Sequence, residues 1–246
     1  MSVAASPGPA AAATTVIPNF GHADSCVLHN RFFCWHWFTS HWNDTFAPAL
    51  VQHIVLTVIA VGIGFVVSLG LALVAYRLHW LERPIGWVAG WLYVIPSLAL
   101  FQLLVPITGL TTTTAEIALV SYTLLVLFRN VLIGLRDVSP DIREAARAMG
   151  MSRLQSLARV ELPLAVPAIV AGLRIATVTV VSLATVAAFV IDRGLGPLIL
   201  RAIGQGLFKT EFVAAGALAV ALAITADALL VGARWLLVPW TRRGPR

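Results

Sequence analysis

Apolar runs long enough to cross a bilayer recur along most of this chain, and short polar stretches divide them. A spanning helix needs about 20 apolar residues, because each residue rises about 1.5 Å and the hydrocarbon layer is about 30 Å thick. Five stretches qualify: 53–75, 85–107, 115–135, 164–190 and 212–238. Lipid offers no partner to backbone N–H and C=O groups, and the runs lack the short alternating pattern of a barrel, so each is predicted helical. The expected fold class is all-α, a polytopic integral membrane protein of about five transmembrane helices. The fourth run is long for one crossing. A tilt, or a bend near Pro167 and Gly172, absorbs the excess; the other reading is a sixth crossing.

Composition agrees with the pattern and charge orients it. Hydrophobic residues make up 59% of the chain and charged residues 11%, with a mean hydropathy of +0.88, whereas a soluble domain is about a quarter charged. The net charge is +6, yet the basic residues lie between and after the apolar runs, where topology accounts for them. No nucleic-acid partner is expected. Arg77 and Arg83 flank the first connection, further arginines fill 129–159, and Arg242, Arg243 and Arg246 close the chain, which places these segments in the cytoplasm. Five crossings then put the N-terminus outside and the C-terminus inside. Residues 192–211 dissent, since they fall outside yet carry Arg193, Arg201 and Lys209. Gly194-Leu195-Gly196 and the apolar run 197–203 predict a short helix against the outer face there.

Residues 1–20 are rich in Ala, Thr and Pro, have no basic residue and no continuous apolar core, so they read as a flexible tail and not as a signal peptide. The expected organisation is an extracytoplasmic tail over 1–51, a membrane domain over 52–240 with a polar insertion at 136–163, and a basic cytoplasmic tail over 241–246. The tail holds Cys26 and Cys34, a candidate disulfide outside the membrane, with His22, His29, His36 and His41. Their spacing matches no standard zinc pattern, so no metal site is expected. Residues 32–42, with Trp35, Trp37 and Trp42, read as an amphipathic patch against membrane lipid at the outer interface.

Ionisable residues inside a span are costly and face protein or water. Arg174 lies about ten residues past Leu164 and Asp227 about ten before Leu237, so at about 1.5 Å per residue both sit roughly 15 Å from the same boundary. Equal depth permits an ion pair between the fourth and fifth helices; separate partners or snorkelling is the other reading. Gly62, Gly64 and Gly70, with Ser68, predict close helix approach on the first span.

The polar insertion carries the most specific pattern. It reads Glu144-Ala145-Ala146, three residues, Gly150, nine residues, then Val160, Glu161 and Leu162-Pro163. Asp141 and Glu144 near the start of a short helix suit its dipole. Ala145-Ala146 makes a slim helical ridge, Gly150 permits a turn, and Leu162-Pro163 is expected to end a second short helix and redirect the chain into the membrane.

This pattern resembles the EAA loop of the inner-membrane permease subunits of ABC importers, with Val160 standing where the family carries Ile. The resemblance implies that Glu144, Ala145, Ala146, Gly150, Val160, Leu162 and Pro163 form a coupling element that docks on a cytosolic ABC ATPase dimer. It further implies a second permease subunit, the same or related, an extracytoplasmic substrate-binding protein, and transport by alternating access. The chain lacks a Gly-x4-Gly-Lys-Ser/Thr loop, so ATP and Mg belong to the partner ATPase and this chain needs no cofactor. Residues 95–99, 127–130, 134–138, 171–174 and 194–196 are similar to permeases for quaternary-ammonium osmoprotectants: glycine betaine, choline, carnitine or proline betaine.

A path for such a cargo suits aromatic and small polar groups, because an ammonium binds an aromatic face without full desolvation. Trp91, Tyr93, Pro96, Ser97, Phe101, Gln102 and Tyr122, on the second and third spans, are the candidates. Interface anchoring is the other role open to the aromatics, and Pro96 is expected to bend its helix. The nearest rival function is the same machine with an amino acid such as methionine as cargo. An ATP-independent channel has no use for a coupling element, and an intramembrane enzyme needs a nucleophile and base that the spans do not provide.

Overall fold

A computed structural model describes residues 25–238; the rest of the expected N-terminal tail, with His22, and the basic C-terminal tail lie outside the described residues. Among the described residues every regular element is helical. Two short helices, α1 (Ser25–Leu28) and α2 (Trp35–Ser40), and a π-turn at Trp42–Phe46 lead into the first long helix, α3 (Ala47–Arg77). The chain continues through α4 (Glu82–Val94), α5 (Ser97–Thr108) and α6 (Thr112–Arg136). The polar segment forms α7 (Pro140–Ala148) and α8 (Arg153–Ser156), and α9 (Leu162–Val186), α10 (Gly196–Gly204) and α11 (Lys209–Leu237) complete the fold. The first long helix thus begins before the expected boundary at 51/52.

Four helical runs, 42–77, 112–136, 153–189 and 209–237, are long and apolar enough to cross a membrane unbroken. The fourth apolar stretch is therefore one helix, with Pro167 accommodated inside it. The stretch at 85–107 is not a single rod. It breaks at Ile95-Pro96, where α4 and α5 meet at 99°. Proline drives the residue before it out of the helical region, and Ile95 is extended at φ −60°, ψ 128°. The broken pair still runs the length of α6 in the opposite sense. Glu82 at the start of α4 pairs with Arg136 at the end of α6, and Thr108 at the end of α5 shares a 2.7 Å hydrogen bond with Thr114 near the start of α6. A break inside a membrane strands carbonyls, and one of them, that of Ile95, accepts the Tyr122 hydroxyl.

Helices in lipid gain little from apolar contact, because lipid tails are as apolar as leucine; close backbone approach through small side chains holds them instead. Ala60, Ala72, Ala75, Ala115, Ala118, Ala184 and Ala187 are fully buried where α3, α6 and α9 meet. A Cβ on Gly172 would stand 2.6 Å from that of Asn130, and one on Gly134 would stand 2.8 Å from that of Ala168, so α6 and α9 touch at glycine. On α3 only Gly64 behaves as the three glycines were expected to: Thr123 Oγ1 lies 1.9 Å from its absent Cβ, while Gly62 and Gly70 face open space. Ser68 donates to the Leu124 carbonyl across the same seam at 3.4 Å.

At the end of the bundle opposite the polar segment, His53 is fully buried. The Leu195 N–H donates to its Nδ1 at 3.2 Å, so the proton sits on Nε2, which donates to the Val181 carbonyl at 3.0 Å. Gly194, at φ +83°, packs on this ring, and a Cβ on Gly196 would stand 2.2 Å from the Thr185 carbonyl. The Gly-Leu-Gly triplet is thus a backbone fit between α3 and α9. Beyond it, α10 forms the expected short helix, and Arg201 on it bonds the buried Glu211 of α11 at 2.7 Å.

These contacts generate a contrast in thermal unfolding measured in detergent. Gly172→Ala should lower stability by about 1–3 kcal/mol through overpacking, whereas Gly62→Ala, in open space, should leave the transition unchanged or slightly higher. Equal behaviour of the two variants would refute the glycine contact.

Candidate functional site

The polar segment is a compact helix–turn–helix whose ends are capped by its own residues. The Ser139 side chain caps α7 by accepting from the Asp141 N–H at 3.2 Å, and Pro140 takes the first turn, where its missing N–H costs nothing. The helix closes in a Schellman turn. Met151 N–H donates to the Ala146 carbonyl at 3.2 Å and Gly150 N–H to that of Arg147 at 2.9 Å, with Gly150 at φ +80°. Ser152 and Gln155 then form a reciprocal capping box at the start of α8. Ala146 packs inward at 1% exposure, while Glu144, Ala145 and Gly150 stand on the exposed side.

Leu162-Pro163 does not end the second short helix as the sequence pattern led us to expect. The π-turn Leu157–Glu161 carries α8 into α9 without a break, and Pro163 sits in the first turn of α9. The wider turn leaves room for the proline ring, which supplies no N–H to the ladder. Val160, Leu162 and Pro163 are half-buried at this junction.

Three polar contacts fasten the segment to the bundle. Glu161, 6% exposed, accepts from the Tyr76 hydroxyl at 2.5 Å and from the Ser156 hydroxyl at 3.0 Å, joining the end of α3 to α8. Arg143 of α7 donates through Nη2 to the carbonyls of Arg136, at 3.1 Å, and Val138, capping the end of α6. Arg136 in turn makes a two-pronged pair with Glu82, at 2.8 and 2.5 Å, which adds α4. Tyr76 and Arg143 were not singled out from sequence, and Glu161 was read there as part of the pattern without a role of its own. The signal for Glu161 was its acidic side chain between the apolar Val160 and Leu162.

The seven path candidates do not line one surface. Trp91 is 69% exposed and, with Trp87 and Arg129, borders a groove of about 970 Å³ between α4 and α6. Tyr93 packs edge-on against Tyr122, with centroids 6.1 Å apart, beside the bend at Pro96. Phe101 is fully buried in the core with Leu100 and Leu119, because the bend lays α5 across α6; it faces no open space. Ser97 is half-buried, and Pro96 and Gln102 are exposed.

Arg174 of α9 and Asp227 of α11 form a two-pronged pair, Nε to Oδ1 at 2.7 Å and Nη2 to Oδ2 at 2.8 Å. Cys26 and Cys34 are joined as a disulfide. The segment they close, and the aromatic stretch 32–42 that continues from it, also pack on the protein. The closed segment is bonded to the start of α11: the Cys34 N–H donates to Thr210 Oγ1 at 3.0 Å, and the Asn30 side chain bridges the Leu207 carbonyl and the Lys209 N–H, each at 2.9 Å. Trp37 packs edge-on against Phe208 at 4.8 Å. Trp35 and Phe32 remain exposed. Among the described residues no cluster of three His, Cys, Asp or Glu side chains offers a metal site.

Residues 60–233 match the family described as binding-protein-dependent transport system inner membrane component. Among curated relatives, the osmoprotectant import permease protein OsmW of Salmonella typhimurium is 36% identical over 199 residues, covering 78% of this chain and 92% of that protein. The choline transport system permease protein OpuBB of Bacillus subtilis is 34% identical over 189 residues, 76% of this chain and 86% of its own length. The glycine betaine/carnitine/choline permease protein OpuCB of the same organism is 33% identical over 183 residues, 73% and 82%. The fold is that of a chain of the inward-facing MetNI methionine ABC transporter, with a TM-score of 0.70 at 20% identity over 78% of this chain and 95% of that one. A chain of an amino acid ABC transporter solved with histidines gives 0.64 at 19% identity, covering 79% and 95%.

The fastening of the polar segment predicts a measurable coupling. Tyr76→Phe and Glu161→Gln should each destabilise the protein, and the double variant should fall short of their sum by about 0.5–3 kcal/mol. Strict additivity in a thermal-unfolding cycle would show that the bond is not made.

Proposed function

Because the chain belongs to the family of binding-protein-dependent transport system inner membrane components, we propose that it is the permease subunit through which an ATP-driven importer takes up small quaternary-ammonium osmoprotectants. The observation that carries the coupled-machine reading is the unbroken helical run 153–189, which begins in the polar segment and ends at the far side of the bundle. Displacement of α7 and α8 is thereby delivered to the middle of the membrane. The cargo class is supported by the printed names of the relatives, for choline, carnitine, glycine betaine and osmoprotectants. The solved transporters named for methionine and histidines share the fold and carry no weight on cargo.

In this reading Glu144, Ala145 and Gly150 present the docking ridge to a cytosolic ATPase dimer, which binds ATP and Mg, while Ala146, Val160, Leu162 and Pro163 seat the ridge on the bundle. A second permease subunit and an extracytoplasmic binding protein complete the transporter. The N-terminus lies outside and the polar segment inside. Two features support that orientation: disulfides such as Cys26–Cys34 persist in oxidising compartments, and the dissenting Arg201 is neutralised by Glu211. After mild reduction of intact cells, an impermeant maleimide should label Cys26, while Cys34, 1% exposed, stays protected in the folded chain; labelling of Cys26 only after lysis would invert the topology.

The decisive measurement reconstitutes the permease with its ATPase and binding protein in liposomes. Glycine betaine, choline, carnitine or proline betaine should stimulate ATP hydrolysis and enter, and methionine should not. Gly150→Val forces a β-branched residue into the left-handed region, at a cost of about 1–2 kcal/mol. It should cut uptake at least about tenfold while basal hydrolysis persists. Unaltered uptake in that variant would rule out the coupling role.

A further inference from the structure

We propose that the Arg174–Asp227 pair is a membrane-embedded binding site for a zwitterionic cargo, one that carries a carboxylate beside a quaternary ammonium. The inference rests on the importer reading above and assigns residues to it.

Arg174 stands midway along α9, and Asp227 faces it from α11. The pair is not enclosed by the chain: the two side chains are 35% and 33% exposed. Their neighbours on the same helical faces are open as well, Val178 on α9 at 38% and Ile224 and Val220 on α11 at 64% and 59%. Ser182, two turns from Arg174 on that face, is exposed. Charged groups at this depth do not face hydrocarbon, where their lost hydration is not replaced; they face protein or a water-filled cavity. The pair is therefore met by protein or water in the assembled transporter, and the proposed cargo path runs on this side of α9 and α11, against the second permease subunit.

The pair also has unused capacity. Two guanidinium N–H groups go to Asp227, and no other described residue accepts from Arg174 or donates to Asp227. A betaine carries the same two charges in the same molecule. Its carboxylate fits the planar fork of Arg174, and its ammonium is the counter-charge for Asp227. When the zwitterion enters, each resident charge exchanges one partner for another, so no bare ion is left at low dielectric in either state. An empty site that is already internally neutral binds weakly, as a transport path requires. Choline, which has an ammonium and no carboxylate, satisfies Asp227 and leaves Arg174 without a partner.

The test is uptake of glycine betaine and of choline by the full complex of permease, ATPase and binding protein in liposomes. The binding protein is common to all variants, so a change in the ratio of the two uptakes reports on the permease alone. Arg174→Gln should lower the betaine-to-choline ratio at least about tenfold, the loss expected for one charge-assisted hydrogen-bonding group. Arg174→Lys, which keeps the charge without the fork, should lower it by less, and it carries the same comparison if Arg174→Gln does not accumulate in the membrane. A structural ion pair predicts instead that both uptakes fall together at constant ratio, and that result overturns the proposal. A wild-type complex that carries choline and not glycine betaine overturns this inference alone; one that carries neither overturns the importer reading with it.

Discussion

Hydrocarbon supplies no hydrogen bonds, so a helix inside the membrane must either continue or have its interruption answered by a side chain. Both solutions occur here, and their distribution decides what moves with what. The run 153–189 continues without a break, even through a π-turn and two prolines. The stretch before α6 breaks, and Tyr122 answers the stranded Ile95 carbonyl. One element is therefore a lever and its neighbour is a jointed strut.

The polar segment is mounted on this frame with few but well-placed bonds. Its internal turns are closed by backbone and capping contacts, which makes α7 and α8 one small rigid body. Glu161 and Arg143 then tie that body to α3 and α6. A load applied to α7 consequently reaches three long helices at their ends, where a small displacement sweeps the largest distance.

How much of this was legible depended on range. The apolar runs and the spacing from Glu144 to Pro163 are local patterns, and the crossings and the helix–turn–helix followed from them. Pro96 announced a bend, but hydropathy sums over 85–107 cannot distinguish a rod from two helices at 99°. Equal depth brought Arg174 and Asp227 to one level without saying which faces they occupy. The Tyr76–Glu161 bond joins residues 85 positions apart, and nothing local to either marks the other. Phe101 was misplaced because an aromatic on a span reads the same whether it faces a cavity or a core.

His53 adds a constraint on how such a frame rearranges. Its ring joins α3 to the Val181 carbonyl and the Leu195 amide, and both nitrogens are committed. Sliding α3 past α9 at that level would strand two buried polar groups in a dry environment. The imidazole thus behaves as a rivet: rearrangement of these two helices is a pivot about a fixed point near one membrane face, with amplitude growing toward the other.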